Sequence, residues 1–329
     1  MKWIEWAIVG VLLFVPFATI NQIETKTLRH IQLTELRYDA ALDAAVDDAA
    51  SMLVLNANQR QEAEYASAKR VALNKEEALE VFFRTLNAGF GVAGDPVAQG
   101  VLHRYVPVIV IVGYDGFYVY AEDEWTGADG KTVLKSVWGM KKPYAYTDSA
   151  GNSLSFTLDQ EVLAYDASSR SWYEGLRQDI GHQTSIPLLQ DAALFEQVRR
   201  STIVQAIQDE LAYRINRYNE TVFKSGFSYS FTLPLISDEE WNNTVDDVGM
   251  LAFLQGIPMG AKVYNSYALG GSRVMKRADI IGAKKGNMKV YYRSSCRYSY
   301  PIEETFSSEK AAAEKGYMPL VCPLSLAHR

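Results

Sequence analysis

The first 23 residues constrain this chain most, because no charged side chain occurs from Trp6 to Ile23. The part from Ala7 to Ile20 is almost wholly apolar. A helix rises about 1.5 Å per residue, so such a segment spans roughly 27 Å, close to the hydrocarbon thickness of a bilayer. We therefore predict a single-pass transmembrane anchor over residues 1–23, at the cell membrane, with the bulk of the chain outside the cytoplasm.

Two other interpretations of this segment stay open. A cleaved secretory signal has a basic start and small residues at the cut, whereas here Lys2 is followed by Glu5, and residues 17–20 make a poor cleavage site. A buried helix is the third possibility. Three basic residues between positions 26 and 37 do not favour an N-terminus inside, so the expected orientation depends on the ability of long domains to translocate regardless of charge.

Composition predicts a folded domain and excludes one class of partner. Hydrophobic residues make up 48% and aromatic residues 12% of the 329 residues, which suffices for a substantial core. The net charge is -6, and no block of Lys or Arg occurs. Because nucleic-acid binding needs a basic surface, we expect no nucleic-acid partner.

Beyond the anchor, residues 21–55 lack Pro and Gly and predict a continuing helix. We expect its apolar stripe to be buried; the stripe consists of Leu33, Leu36, Ala40, Ala44, Met52 and Leu53. Asp39, Asp43 and Asp47 form an acidic stripe at four-residue steps. We interpret the acidic stripe as a solvated face, with a partner contact or a divalent cation site as the alternatives.

The remaining pattern is that of an α+β fold. We predict an N-terminal transmembrane helix continuing into a long helix packed on an antiparallel sheet, with a small C-terminal β-α module. The expected domains are an anchor at 1–23, a helical stalk and second helix at 24–95, an α+β domain at 96–285, and a C-terminal module at 286–329.

Local signals place individual elements within that fold. Helices are predicted over 75–88, 187–223 and, after a capping box at 237–240, up to 254. Strands are predicted over 106–112, 117–120, 132–140, 143–147, 154–158, 162–165, 229–235, 262–269, 278–282 and 288–292.

The sequence contains few signals of catalytic chemistry. It contains no phosphate-binding glycine loop, dinucleotide fingerprint, HExxH motif or nucleophile elbow. Its four histidines lie far apart; they are His30, His103, His182 and His328. Four carboxylates could pair for acid/base work but lie near a hairpin turn and strand end; they are Asp115, Glu122, Asp123 and Glu124. We expect no enzyme activity, no catalytic residue, no cofactor and no metal.

The N-terminal sequence from Trp3 to Phe17, with Glu5 and Pro16, resembles the minor pilins of Tad-type pili (TadE-like) and, more loosely, type IV pilins. In those families an apolar helix with a glutamate near its start anchors the subunit and is used in assembly. The resemblance makes Glu5 and Pro16 assembly candidates. It implies as partners membrane lipid and other pilus or secretion-system subunits, with self-association included. The alternative for Glu5 is a place at the lipid headgroups.

The C-terminal stretches 290–298 and 305–322 resemble the small Ada-type cysteine module. Its usual pattern has a histidine before one cysteine and a pair of cysteines after a Gly-Tyr turn. Here Tyr292 or Arg293 holds the histidine position and Leu320 replaces the first cysteine of the pair, so no closed metal site is expected. We predict a disulfide between Cys296 and Cys322, with free structural cysteines as the alternative.

These observations lead to one functional hypothesis and one alternative. The first is a membrane-anchored extracytoplasmic component of a bacterial surface apparatus, such as a Tad-like pilus or secretion machine, with a structural or assembly role. The alternative is a membrane-tethered ligand-binding or sensing ectodomain, with contacts from residues 114–120, Trp125 or Trp138.

Overall fold

The structure is a computed structural model, and it describes most of the chain. The described residues are 2–55, 73–127, 130, 132–224, 229–237, 239–241, 245–260, 262–272, 280–286, 288–293, 296, 298–306 and 309–320. In the first helix, the side chains of residues 2–21 and 23 lie outside this description.

The described part folds into helices and strands that alternate in blocks along the chain. The helices are α1 (Lys2–Leu55), α2 (Lys75–Gly89), α3 (Pro96–His103), α4 (Arg177–Ile180), α5 (Pro187–Gln190), α6 (Ala192–Lys224) and α7 (Glu309–Glu314). The strands are β1 (Val108–Gly113), β2 (Gly116–Thr126), β3 (Thr132–Trp138), β4 (Tyr144–Thr147), β5 (Ser153–Phe156), β6 (Glu161–Asp166), β7 (Ser171–Leu176), β8 (Val248–Met259), β9 (Lys262–Ser272), β10 (Ile280–Lys285), β11 (Met288–Arg293), β12 (Ile302–Phe306) and β13 (Met318–Pro319).

The described strands form three sheets. The largest has five antiparallel strands in the order β3-β2-β1-β8-β9, and the second is the antiparallel sheet β4-β5-β6-β7. The third has the order β12-β10-β11-β13, with β11 and β13 parallel. The α+β composition is therefore as expected, but the single antiparallel meander predicted for residues 106–165 is divided between two sheets.

Strand β1 lies at the centre of the molecule because both of its faces are buried. Val108, Val110 and Val112 face one core, which they share with α6 and with the second sheet. Ile109 and Ile111 face the other core, which they share with α1 and α2. The alternation of side chains along a strand explains how a run of six buried residues serves two cores at once.

Helix α1 packs on the five-stranded sheet with a face that differs from the predicted one. The buried side chains are Ala41, Leu42, Ala45, Val46, Ala49, Ala50 and Leu53. Of the predicted stripe, Leu53 is buried and Met52 is half-buried. Leu33, Leu36, Ala40 and Ala44 are exposed. The expectation that these four bury was wrong, because the small side chains at 41, 45 and 49 let the opposite face approach the sheet more closely.

Among the residues that the structure describes, no helix is long and apolar enough to cross a membrane. The predicted transmembrane anchor over residues 1–23 is therefore wrong, and so are the single-pass topology and the cell-membrane localisation that depended on it. The described side chains of α1 begin at Gln22, and charges follow at Glu24, Lys26 and Arg29. An apolar span cannot continue into these residues, because each such charge costs about 3 kcal/mol at the centre of a bilayer.

Two further element predictions fail. Residues 248–254 were expected to continue a helix but form strand β8, and residues 229–235 contain no strand. The capping box at Ser237 is confirmed, because the Ser237 amide and hydroxyl donate to Glu240 at 3.1 Å and the Glu240 amide donates back at 3.2 Å. The predicted helix over 187–223 is divided at Asp191, whose carboxylate caps α6.

The C-terminal part contains two small cores of its own. One comprises Ile280, Tyr291, Phe306, Ala312 and Tyr317. The other comprises Ala283, Val290, Tyr292 and Cys296. The predicted boundary between the α+β domain and the C-terminal module, at 285/286, lies within the hairpin formed by β10 and β11.

Candidate functional site

Helix α1 extends well beyond the domain on which it packs. Every described side chain from Glu24 to His30 is exposed, and contact with the domain begins at Ile31. The 29 residues from Lys2 to His30 correspond to about 43 Å of helix. We call residues 24–30 the extended segment. An exposed helical segment such as this one is stabilised when it packs on another element.

Four apolar residues of α1 face away from the domain, and we call Leu33, Leu36, Ala40 and Ala44 the outer stripe. At 100° per residue, they lie on the side of the helix opposite the centre of the buried face, where Leu42 and Ala49 lie. Leu33 is 61% exposed and Leu36 is 65% exposed. Leu28 in the extended segment is 52% exposed. Exposed leucines that share one helix face, as Leu33 and Leu36 do, are typical of an interaction surface.

The charges of α1 change sign along its length. Residues 24–37 carry three basic residues, Lys26, Arg29 and Arg37, against two acidic ones, Glu24 and Glu35. Residues 39–48 carry four aspartates and no basic residue. The helix therefore has a basic part followed by an acidic part, and the outer stripe runs along both.

The acidic stripe is partly tied to the domain. The Tyr264 hydroxyl donates to Asp39 at 2.7 Å, and burial together with this bond raises the pKa of the Tyr264 hydroxyl. The pKa of Asp43 is raised by partial burial and by the neighbouring charges of Asp39 and Asp47. No group of three or more metal-ligating side chains occurs within the described ranges.

A second candidate site is a groove of about 570 Å³ between β4 and α6. One wall is the edge strand, with Pro143, Ala145, Tyr146 and Thr147. The other wall is one face of α6, with Ser201, Thr202, Gln205, Ala206 and Asp209. The helix wall has small side chains at three of its five positions, which leaves room beside the strand. The size falls within the range of ligand pockets.

The carboxylates proposed for acid/base work are separated by ion pairs. Asp115 pairs with Lys141 at 2.6 Å. Asp123 pairs with Arg217 at 2.8 Å and with Arg214 at 3.1 Å. Burial raises the pKa of Glu122. The structure thus pairs Asp123 with α6 and Asp115 with Lys141 rather than with each other.

The three described histidines do not meet either. His30 and His182 are exposed, and His328 lies outside the described residues. His103 stacks on Phe83 with ring centroids 4.1 Å apart, and burial lowers its pKa. Packing accounts for this half-buried imidazole.

The aromatic residues expected to contact a ligand are distributed over different surroundings. Tyr114 is buried, and its hydroxyl lies 2.7 Å from Glu161. Trp138 packs on Tyr120, with ring centroids 5.2 Å apart. Trp125 is exposed near the end of the β2–β3 hairpin, opposite Val133. No single aromatic site results.

Sequence reasoning missed a buried ionic cluster at the start of α6. Arg199 is 2% exposed, contacts Glu196 at 2.6 Å and Asp246 at 3.1 Å, and donates to the Thr157 carbonyl at 3.2 Å. Its i, i+3 spacing to Glu196 is visible in the sequence, but the contacts to Thr157 and Asp246 depend on the fold. The cluster joins α6 to the second sheet and is structural.

The assembly and disulfide residues fall partly outside the description. Glu5 and Pro16 belong to helix α1, but their side chains lie outside the described residues. Cys296 is buried and disulfide-bonded. Cys322 lies outside the described residues, so its pairing with Cys296 stays a prediction.

The comparison with known proteins adds no relative to this geometry. Neither a protein-family model, nor a curated protein, nor a solved structure matches the chain.

Proposed function

We propose that this protein is a structural or assembly subunit of a surface apparatus, such as a pilus or secretion machine, in which α1 packs against α1 of a second copy. The observation that carries the proposal is the outer stripe, with Leu33 and Leu36 exposed on a helix that extends beyond its domain. Apolar side chains of this size on one helix face gain free energy when another helix covers them.

Charge supports a second copy as the partner. The basic residues between positions 26 and 37 and the aspartates between positions 39 and 48 have midpoints about 18 Å apart along the same helix. A second α1, shifted by that distance or turned end over end, places its basic part beside the acidic part of the first. Ion pairs between the copies then add to the apolar contact and set their register.

Sedimentation velocity on the full chain tests the proposal. We expect concentration-dependent association that weakens between 50 mM and 500 mM salt, because salt screens the helix charges. The double substitution Leu33→Asp with Leu36→Asp should abolish association without changing the melting temperature.

Leu134→Asp with Leu194→Asp is the matched control, since both leucines are exposed but lie on β3 and α6. The control should associate like the unmodified chain. A chain that stays monomeric at about 100 μM would contradict the proposal, as would an equal effect of the two double substitutions.

A further inference from the structure

The groove between β4 and α6 has the geometry of a peptide site, since it lies at the free edge of a sheet. Among the described strands, the order β4-β5-β6-β7 gives β4 a neighbour on one side only. Such an edge presents unpaired backbone N–H and C=O groups. An extended peptide can pair with them as an additional strand.

The register of the β4–β5 hairpin shows which backbone groups face the groove. The Asp148 amide donates to the Asn152 carbonyl at 3.0 Å, so positions 148 and 152 form a hydrogen-bonded pair. Hydrogen-bonded and non-hydrogen-bonded pairs alternate along an antiparallel ladder. Tyr146 and Tyr144 therefore bond to β5, whereas the N–H and C=O groups of Ala145 and Thr147 point to the free edge.

The side chains agree with this assignment. Thr147 and Ser153 are directly opposite each other, and their hydroxyls lie 3.3 Å apart. Side chains come closest in non-hydrogen-bonded pairs. Pro143 at the start of the groove also suits an edge position, because proline has no N–H to donate to a ladder.

The helix wall supplies space and one charge. Ser201, Thr202 and Ala206 are small, and Gln205 donates to Asp209 at 2.7 Å. Asp209 is exposed and is the one charged side chain among the residues that line the groove. In the described part of the chain no cationic side chain pairs with it. An occupant with a basic side chain would therefore complement the groove.

We infer that the groove binds an extended peptide segment of four to five residues, which adds a strand to the edge of β4 and places a Lys or Arg near Asp209. The backbone of the occupant pairs with Ala145 and Thr147. Its side chains alternate between the small-residue wall of α6 and solvent. This site is separate from the outer stripe of α1, and it does not depend on the proposed self-association.

The test uses two capped peptides, Thr-Val-Lys-Val-Thr and Thr-Val-Glu-Val-Thr, added to the isotope-labelled full chain. We expect the lysine peptide to shift the amide NMR signals of Ala145 and Thr147 more than those of Tyr144 and Tyr146. It should bind about two- to fivefold more tightly than the glutamate peptide, as expected for one exposed ion pair. In Asp209→Asn, this preference should fall to about one.

Proline substitutions separate binding from folding. Ala145→Pro removes an N–H that faces the groove, so it should abolish the shifts and leave the melting temperature nearly unchanged. Tyr146→Pro removes an N–H bonded to β5 and should lower the melting temperature strongly. Ala206→Trp should fill the groove and abolish binding without touching the strand.

Three results would overturn the inference. The first is the absence of peptide-induced shifts in residues 144–147. The second is the persistence of those shifts in both Ala145→Pro and Ala206→Trp. The third is a dependence of the same signals on protein concentration without peptide, since a second copy would then be the occupant of the edge.

Discussion

Helix α1 has two halves that differ in composition and meet opposite surroundings. From Ala41 to Leu53, alanines and leucines alternate with aspartates and one face is fully buried. From Glu24 to Ala40, leucines alternate with charged residues and remain largely exposed. The half from Ala41 to Leu53 is richer in alanine and has a sheet beneath it, so the surface opposite a helix contributes, with the helix's own small residues, to deciding which side is core.

The buried half depends on small residues for its close packing. A methyl group built on Gly270 of β9 would lie 2.8 Å from Val46 and 2.9 Å from Asp47. A methyl group built on Gly89 of α2 would lie 2.6 Å from Ala41. The helix therefore contacts backbone on two sides. The exposed half has no comparable contact along Leu33 and Leu36, which keeps those leucines accessible to a partner.

The largest expected effect separates the two halves by stability. Leu42→Ala should lower the free energy of unfolding by about 2 to 5 kcal/mol, because it removes a fully buried side chain and leaves a cavity. Leu36→Ala, the same change on the exposed side, should alter it by less than about 0.5 kcal/mol. Urea denaturation followed by tryptophan fluorescence measures both. Equal losses would mean that the outer stripe is also packed against the domain.

The misassigned stripe shows what limits sequence analysis of α1. Alanines occur in adjacent pairs at 40 and 41, 44 and 45, and 49 and 50. Either member of the first two pairs can belong to an apolar stripe. The choice between them is made by the opposing surface, with Gly270 and Gly89 at contact distance, and that surface is remote in sequence.

Strand β8 illustrates a second limit. Residues 248–257 are all buried because β8 lies between β1 and β9 with a core on each face. A fully buried strand has no polar alternation, and its apolar run cannot be distinguished from a helix by period alone. The capping box at 237–240 then favoured a helix. By contrast, the β1–β2 hairpin was predicted well because its turn residues and β-branched strands are local signals.

The outer stripe and the β4–α6 groove differ in how far they can be predicted from the sequence. The leucines of the outer stripe were recognised from their spacing as one apolar stripe, but the expectation that they are buried was wrong. The β4–α6 groove was not anticipated, since it joins residues 143–147 to residues 201–209. Its components are a short edge strand and a helix face with small residues. They form a groove only because the fold places them side by side, which the sequence does not show.

An intermediate effect tests the close approach of the buried half. Gly270→Ala should lower the free energy of unfolding by about 1 to 3 kcal/mol, because the new methyl group meets Val46 and Asp47. Gly271→Ala is the matched control, since its methyl group would have no neighbour nearer than the Val248 carbonyl at 4.0 Å. Thermal unfolding of both variants gives the comparison. A harmless Gly270→Ala would show that α1 can move away from the sheet.

The smallest effect concerns the acidic stripe of the buried half. Asp43→Asn should raise the free energy of unfolding at pH 7 by a few tenths of a kcal/mol, because it removes a partly buried charge and its repulsion from Asp39 and Asp47. Asp48→Asn is the control without an expected gain, since the Asp48 carboxylate accepts a hydrogen bond from Thr85 at 2.8 Å.

The pH dependence of the stability gain in Asp43→Asn tests whether the charge of Asp43 is its cause. The pKa of Asp43 in the folded chain lies above its ordinary value of 3.8, so on acidification the folded state takes up this proton before the unfolded state does. The unmodified chain then gains stability from this group as pH falls through the folded pKa, and the advantage of Asp43→Asn disappears below about pH 4. A pH-independent advantage would show that the charge of Asp43 is not the cause. A stripe that slightly destabilises the single chain becomes favourable where a basic segment of a second α1 lies beside it, so the same substitution should weaken self-association while stabilising the fold.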